Sequence, residues 1–319
     1  MSSNPTSPLF TRLSSLGVIH CQGEEAGAFL QGQFGNDLSQ VDDAHHQLNS
    51  YATPKGRVLT VFRVHKHRDE YLLTMPKELV APTLQRLRMF VLRAKVVLND
   101  ASDQVHAIGL WGDGADEVLS QHIEDMPMAP GDTRSSPEFE VSRLPGDTPR
   151  FLIHIHPGHD STTVDSIVAN CTEADDDQWA LSEIHAGIPQ VFVPTQEEFV
   201  PQMLNLQLVD GLSFKKGCYP GQEIVARMHY LGKLKRRMYR FSATDTACPS
   251  PGSDVMSADD GSALGKVVDA RMENTNAIEG LAVLQIDKAE SHGLTLTSDT
   301  NASLTLHPLP YPFETNNEK

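Results

Sequence analysis

Apolar residues recur along the chain at two spacings, and the switches between them outline its elements. "LGVIHCQ" at residues 16–22 reads as a strand. In "EEAGAFLQGQF", Ala26, Phe29, Leu30 and Gln33 fall on or near one face, which predicts a helix. "NSYAT" and "VLTVFRV" flank "PKGR", whose proline and glycine favour a turn, so a hairpin is expected. Its second arm, Val58 to Val64, is apolar on both faces and should be central. "KELVAPTLQRLRMFVLRAKVVLND" predicts one or two helices, with Pro82 starting the second, and then a strand around Lys95 to Leu98. "VHAIGLWG" with "ADEVLSQHI" repeats strand then helix, and "FLIHIHP" adds a strand. His154 and His156 share a face of that strand, with His159 after a turn; the pattern reads as a solvated strand rather than a metal site.

Met126 to Pro149 is rich in Pro, Gly, Ser and acids and is expected to be a surface loop region. Beyond Arg237 the texture changes to short alternating runs such as "SALGKVVDA" and "IEGLAVLQI", separated by turn formers, which predict a small β-barrel. The fold class is therefore α+β, with two similar lobes in an N-terminal domain over residues 9–237 and a β-barrel domain over residues 238–319. A chain of 319 residues is long enough for two domains.

Composition narrows the function. No apolar run approaches the length of a signal peptide or a membrane span, so a cytoplasmic protein that makes no use of a membrane is expected. Cys21, Cys171, Cys218 and Cys248 are far apart and form no paired motif, which points to reduced thiols without a zinc ribbon or a disulfide framework. The net charge of −16 argues against a general nucleic-acid binder. That charge is unevenly spread. From Lys215 to Arg240 eight basic residues face one acid, Glu223, a local +7 that leaves −23 for the rest.

The basic island contains "KKGCYPGQE", residues 215–223. Pro220 suits the first turn of a helix, and "GQEIVARMHYL" continues it with Ile224, Val225 and Met228 apolar and Glu223 four residues before Arg227. Cys218 would then precede a helix N-terminus, next to Lys215 and Lys216. Unpaired N–H groups and cations there favour thiolate, the reactive form. Gly217 and Gly221 allow close approach of a backbone or ligand. The alternative is a glycine–proline turn around a small structural cysteine; the clustered lysines weigh against it.

"FKKGCYPGQEIVAR" resembles the signature of the YgfZ-type folate-binding proteins, relatives of the aminomethyltransferase (T-protein) of the glycine cleavage system. "FLQGQFGNDLSQV", "PKGRVLTVFRV", "RMFVLRAKV", "HAGIPQVFVPTQEEFVPQMLNLQL" and "LTLHPLPY" follow in that family's order, so the resemblance covers nearly the whole chain. It implies a T-protein-like ring of lobes around a central folate cavity, with the barrel closing one side, and tetrahydrofolate or a derivative as ligand. It also implies a role in assembling or repairing iron–sulfur proteins, among them tRNA-modifying enzymes, without requiring direct tRNA contact. Cys218 carries the chemistry. Trp179, Leu16, Lys216, Tyr219 and Arg227 are the folate-binding candidates, supported by Lys215, Gly217, Gly221, Gln222 and Glu223. Trp179, just ahead of "EIHAGIP", stands where the family places a tryptophan beside the folate, and is equally readable as a core residue. Leu16 falls where some relatives have an aromatic. No metal ligands are assigned.

Two other classes remain open. In a true aminomethyltransferase an aspartate follows the turn seen here as "KGRVLTV"; Thr60 and Val61 occupy that place, and His185 replaces the glutamate relatives often carry in "EAG". An assembly factor is thus favoured over a classical transferase. A Cys–His hydrolase would need a partner such as His229, and fourteen histidines make such a pairing easy to find by chance. The segment "GKLKRRMYR" is either a docking surface for acidic partners or tRNA, or a solvated strand.

Overall fold

The strand of residues 16–22 forms because adjacent β-branched Val18 and Ile19 point to opposite faces of the sheet and are both buried. The computed structural model describes residues 7–313 apart from 157, 160, 161, 290, 292 and 298. Contacts divide them into two units. The first comprises the described residues up to Gln33, Asp37–Gln47 and Phe62–Trp179; the second comprises Phe34–Asn36, Leu48–Val61 and Ala180 onward.

In chain order the elements reaching the end of the first unit are β1 (Leu9–Arg12), β2 (Leu16–Gln22), α1 (Ala26–Gln31), β3 (Gln47–Ala52), β4 (Val58–His67), β5 (Glu70–Pro76), α2 (Val80–Val91), β6 (Val97–Asp100), β7 (His106–Trp111), α3 (Ala115–Ser120), β8 (Thr133–Ser135), β9 (Phe139–Arg143), β10 (Arg150–Ile155), α4 (Thr162–Val168), β11 (Thr172–Glu173) and α5 (Asp176–His185). The helical stretch after Lys77 is a single helix, with Pro82 inside its first turn where the missing N–H costs nothing. The strand after it lies two residues later than expected.

One sheet has the order β11-β1-β7-β10-β9-β8, the other β3-β4-β5-β2-β6. Strand β4 begins in the second unit and runs on into the first. Alternation on β10 sends Phe151, Ile153 and Ile155 to one face, where they pack with Ile108 and Leu110 of β7 and with Leu119, Val164 and Ile167 of α3 and α4. Leu152 points the other way, to Leu13, Ala107, Trp111, Leu144 and Trp179. Each such side chain stabilises the unit by about 1.5–3 kcal/mol on full burial.

The stretch 126–149 is not only loop. Strands β8 and β9 form a hairpin within it, and Phe139 and Val141 are core residues. Only the inward-facing odd positions of β9 are apolar. Glu140 and Ser142 alternate with them and are also buried, so the strand lacks the polar outer face that would have marked it.

In the second unit α6 (Gln222–Tyr230) precedes β12 (Arg236–Thr244), β13 (Asp254–Ser257), β14 (Ala263–Met272), β15 (Ala277–Gln285), α7 (Ile286–Ala289), β16 (Leu294–Leu296), β17 (Asp299–Ser303) and β18 (Thr305–His307). Its seven strands run β17-β16-β13-β14-β15-β12-β18 in a nearly closed, barrel-like sheet. Phe241, Val255, Leu264, Val267, Ile278, Leu284 and Leu296 fill the interior. A bulge in β14 between Val267 and Asp269 adds the local twist that such curvature needs. No helix among the described residues is long and apolar enough to cross a membrane.

Candidate functional site

The cysteine loop runs from Phe214 to Gly221, and three anchors, two of them buried, fix its backbone. The first is Lys216. Its Nζ donates to the carbonyl of Phe34 at 2.5 Å and to that of Asn36 at 3.1 Å, and it lies 5.1 Å over the Tyr219 ring. Asn36 is held in turn by the Asn49 carboxamide oxygen on its N–H at 2.9 Å, and it donates to the Asp210 carbonyl at 2.6 Å. "FGN" and "KKGC" are thus tied together. The expected anion-binding role does not suit Lys216, because a buried ammonium bonded to two carbonyls is not aimed at a ligand.

Tyr219 is the second anchor. It is buried, and that burial pushes its hydroxyl up to about 12. The third is Gly221, left-handed at φ 86°. A Cβ there would stand 2.5 Å from the Thr53 carbonyl oxygen and 2.7 Å from Gly56 Cα. The "PKGR" and "YPGQE" turns therefore meet backbone to backbone, which only glycine permits. Pro220 lies outside the helix, which starts at Gln222, so the expected position in its first turn is corrected.

Between these anchors Gly217 and Cys218 are exposed, with nothing within 4 Å of a Cβ built on Gly217. Two of the other thiols differ. Cys21 is buried and pushed up to about 12, and burial also raises Cys171. Cys248 is exposed like Cys218. Lys215, Glu223 and Arg227 are exposed and Gln222 is half-buried. The expected Glu223–Arg227 ion pair is not among the ion pairs of the described residues.

The first unit holds a cavity of about 690 Å³, within the range of small-molecule sites. Leu16, Leu13, Val18 and Ile108 give it an apolar wall, and Arg12, Lys77 and His106 supply polar atoms. Leu16 also packs against the apolar cluster containing Trp179. Trp179 itself is only 4% exposed. Its ring meets Trp111 edge-on at 5.3 Å and the Arg150 guanidinium at 5.1 Å, and it occupies the space above Gly109, so it is the core tryptophan of the two readings.

Thr60 and Val61 are both buried, and the Thr60 hydroxyl donates to the Val61 carbonyl at 3.3 Å. No carboxylate stands at that place to handle an amine proton. His185 lies 3.0 Å from Glu279, which also takes Arg240 at 3.2 Å. Burial opposes the Glu279 charge, but these two partners outweigh it and hold its carboxyl below the ordinary value. His229 stacks on Phe214 at 3.7 Å.

A group that sequence reasoning misread lies in the first unit. His154 and His156 are buried, not solvated; only His159 is exposed. Glu140 and His154 are register partners on β9 and β10 and share a face. Glu140 Oε1 sits 3.0 Å from His65 Nδ1 and 3.1 Å from His154 Nδ1, with all three side chains fully buried. His154 Nε2 is 2.9 Å from the Thr74 hydroxyl. Ser142 and Thr133 extend the chain to His46, which stacks flat on His65 at 5.2 Å. The His65, Glu140 and His154 donor atoms lie within 4.8 Å of one another. Their closest spacings are those of ion-pair contacts, with neither Glu140 oxygen accepting an aligned hydrogen bond among the described residues, and the arrangement is that of a carboxylate between imidazoles. Burial opposes the Glu140 charge, but the two histidines outweigh it and hold the carboxyl well below the usual range. Burial lowers His65 and lowers His46 further, despite the attraction of Glu140.

The chain is 31% identical over 304 residues to the "tRNA-modifying protein YgfZ" of Colwellia psychrerythraea, covering 94% of this chain and 92% of the relative. It is 30% identical to the protein of the same name from Photobacterium profundum, over 95% and 91% of the two chains. No protein-family profile matches it. Among solved structures, the glycine cleavage system aminomethyltransferase T of Bartonella henselae superposes with a TM-score of 0.74 at 11% identity, covering 95% of this chain and 86% of that one. That likeness concerns the fold.

Proposed function

The chain belongs to the YgfZ family of tRNA-modifying proteins, and from that premise we propose that it binds a reduced folate and supports iron–sulfur tRNA-modifying enzymes through the Cys218 thiol. The observation that carries the reading is the contrast inside one loop: Lys216, Tyr219 and Gly221 are locked into the second unit while Cys218 between them is exposed. A structural cysteine gains by burial, and this one is held out of it. Ligating iron, accepting sulfur and forming a mixed disulfide all begin from the same sulfur. The buried Thr60 and Val61 at the position of the transferase aspartate argue against aminomethyl transfer as the reaction.

The ligand side of the proposal rests on the first unit's cavity. Its apolar wall suits a pterin, with Leu16 in contact and Trp179 backing the wall from the core, and Lys77 and Arg12 suit the anionic glutamate tail. Tetrahydrofolate at a hundred times its dissociation constant should stabilise the native protein by about 2.7 kcal/mol and raise its melting temperature. Lys77→Glu, at an exposed position on the cavity wall, should melt near the wild type without ligand and lose most of that shift. No shift of the wild-type melting curve at saturating tetrahydrofolate removes the folate claim. An equal shift in both proteins moves the ligand away from this cavity.

A further inference from the structure

The basic island around α6 resolves into an exposed surface of the second unit with two chemical components. Lys215, Arg227, Lys233, Lys235 and Arg236 are all exposed, and none has an ion-pair partner among the described residues. Several cations elsewhere on the surface are matched with acids, as in Arg12–Asp165, Lys95–Glu24, Arg134–Asp125 and Arg143–Asp116, and those that are not, such as Lys55 and Arg93, are scattered along the sequence rather than clustered. Five unmatched cations within 22 residues, against the single acid Glu223, are a net positive local field on a chain carrying −16.

The second component is aromatic. At the C-terminal end of α6, His229 lies against the Phe214 ring at 3.7 Å and 11°, and Tyr230 meets His229 edge-on at 4.6 Å. Tyr230 is 58% exposed, and Leu231 after it 83%. Water is a poor neighbour for so much flat apolar surface, and an acidic protein face would satisfy the cations while leaving the rings unused. Phosphates beside unstacked bases satisfy both: cations follow the backbone and bases stack on rings.

We propose that this surface of the second unit, formed by Lys215, Arg227, Tyr230, Lys233, Lys235 and Arg236, binds a single-stranded segment of RNA, with the phosphates on the cations and a base on the Tyr230–His229 aromatic pair. The proposal does not depend on folate or on the chemistry of Cys218. It supplies a direct contact with RNA that action through client enzymes alone does not require.

Fluorescence anisotropy of the full chain with a labelled RNA hairpin carrying a single-stranded loop, beside a blunt RNA duplex, tests it. The wild type should bind the hairpin in the micromolar range at low salt, with the log of the affinity falling by about 0.7 per neutralised phosphate against the log of salt. Lys233→Glu with Lys235→Glu and Arg236→Glu should weaken binding at least about tenfold and flatten that slope by about 2. Tyr230→Ala should cost about five- to a hundred-fold on the hairpin and little on the duplex, and Tyr230→Phe should restore binding. All of these side chains are exposed, and unchanged melting temperatures confirm that the variants are folded. Equal hairpin binding by wild type and triple variant overturns the proposal, as does a Tyr230→Ala protein that binds hairpin like wild type. So does a wild type that leaves RNA unbound at about 100 µM while binding polyglutamate or anionic phospholipid vesicles.

Discussion

Cys218→Ala should leave the melting temperature of the protein within a degree or two of wild type and reduce an iron–sulfur tRNA-modifying enzyme in cells to its level in a strain lacking this chain. The two halves of the expectation have separate grounds. Substitutions at exposed side chains away from special backbone geometry usually change stability by less than about 0.5 kcal/mol. Cys218 is exposed, and the loop's shape is set by its neighbours: the Lys216 bonds to Phe34 and Asn36, the buried Tyr219 and the left-handed Gly221. Nothing structural is lost with the sulfur. Cys21→Ala is the matching control, with opposite signs. Its thiol is buried and pushed up to about 12, so the variant should lose packing and stability but keep function. Cys218→Ser separates thiol chemistry from simple hydrogen bonding and should behave like Cys218→Ala. Full complementation by Cys218→Ala would show that the thiol has no part in the function.

Much of this architecture was legible in the sequence where side-chain periodicity follows burial. Strand β2 coincides with the expected 16–22, the hairpin about "PKGR" forms, and the short alternating runs after Arg237 build the barrel-like sheet. Periodicity failed where the buried face is polar. Glu140 and Ser142 on β9, and His154 on β10, face inward as Phe139 and Phe151 do on the other side, so β9 read as loop and β10 as solvated. A pattern of apolar residues cannot report a strand buried among partners that are themselves charged or hydroxylated.

The cysteine loop divides in the same way. Its motif marks Cys218 and the helix to follow, because these depend on neighbouring residues. The destination of the Lys216 side chain depends on Phe34 and Asn36, some 180 residues away, and no local rule foretells it. Pro220 was misplaced for a related reason: the tight contact of Gly221 with Gly56 makes the turn glycine, rather than the proline, the last residue before the helix.

That inward-facing polar group makes stability fall on mild acidification, and the sign follows from which state holds the proton. His46 and His65 are neutral in the native protein because burial disfavours their charged form, and both are held below the ordinary 6.5. In the unfolded chain they protonate at that ordinary value. Below pH 6.5 the unfolded state therefore binds more protons than the native one, and each histidine removes about 1.4 kcal/mol of stability per pH unit until the native side chain titrates as well. Glu140 acts later. Its folded carboxyl is held below the unfolded 4.5, so its contribution is intact above that value and is lost only as pH falls further. Between pH 6.5 and 4.5 the buried imidazoles thus set this group's share of the slope. His46→Phe preserves a flat ring against His65 and removes one titrating group, so its unfolding free energy from urea titration should fall less between pH 7 and pH 5.5, by about 1.3 kcal/mol in total. Parallel curves for the two proteins would mean that His46 is not held neutral by burial, and the acid sensitivity would have to arise from side chains outside this network.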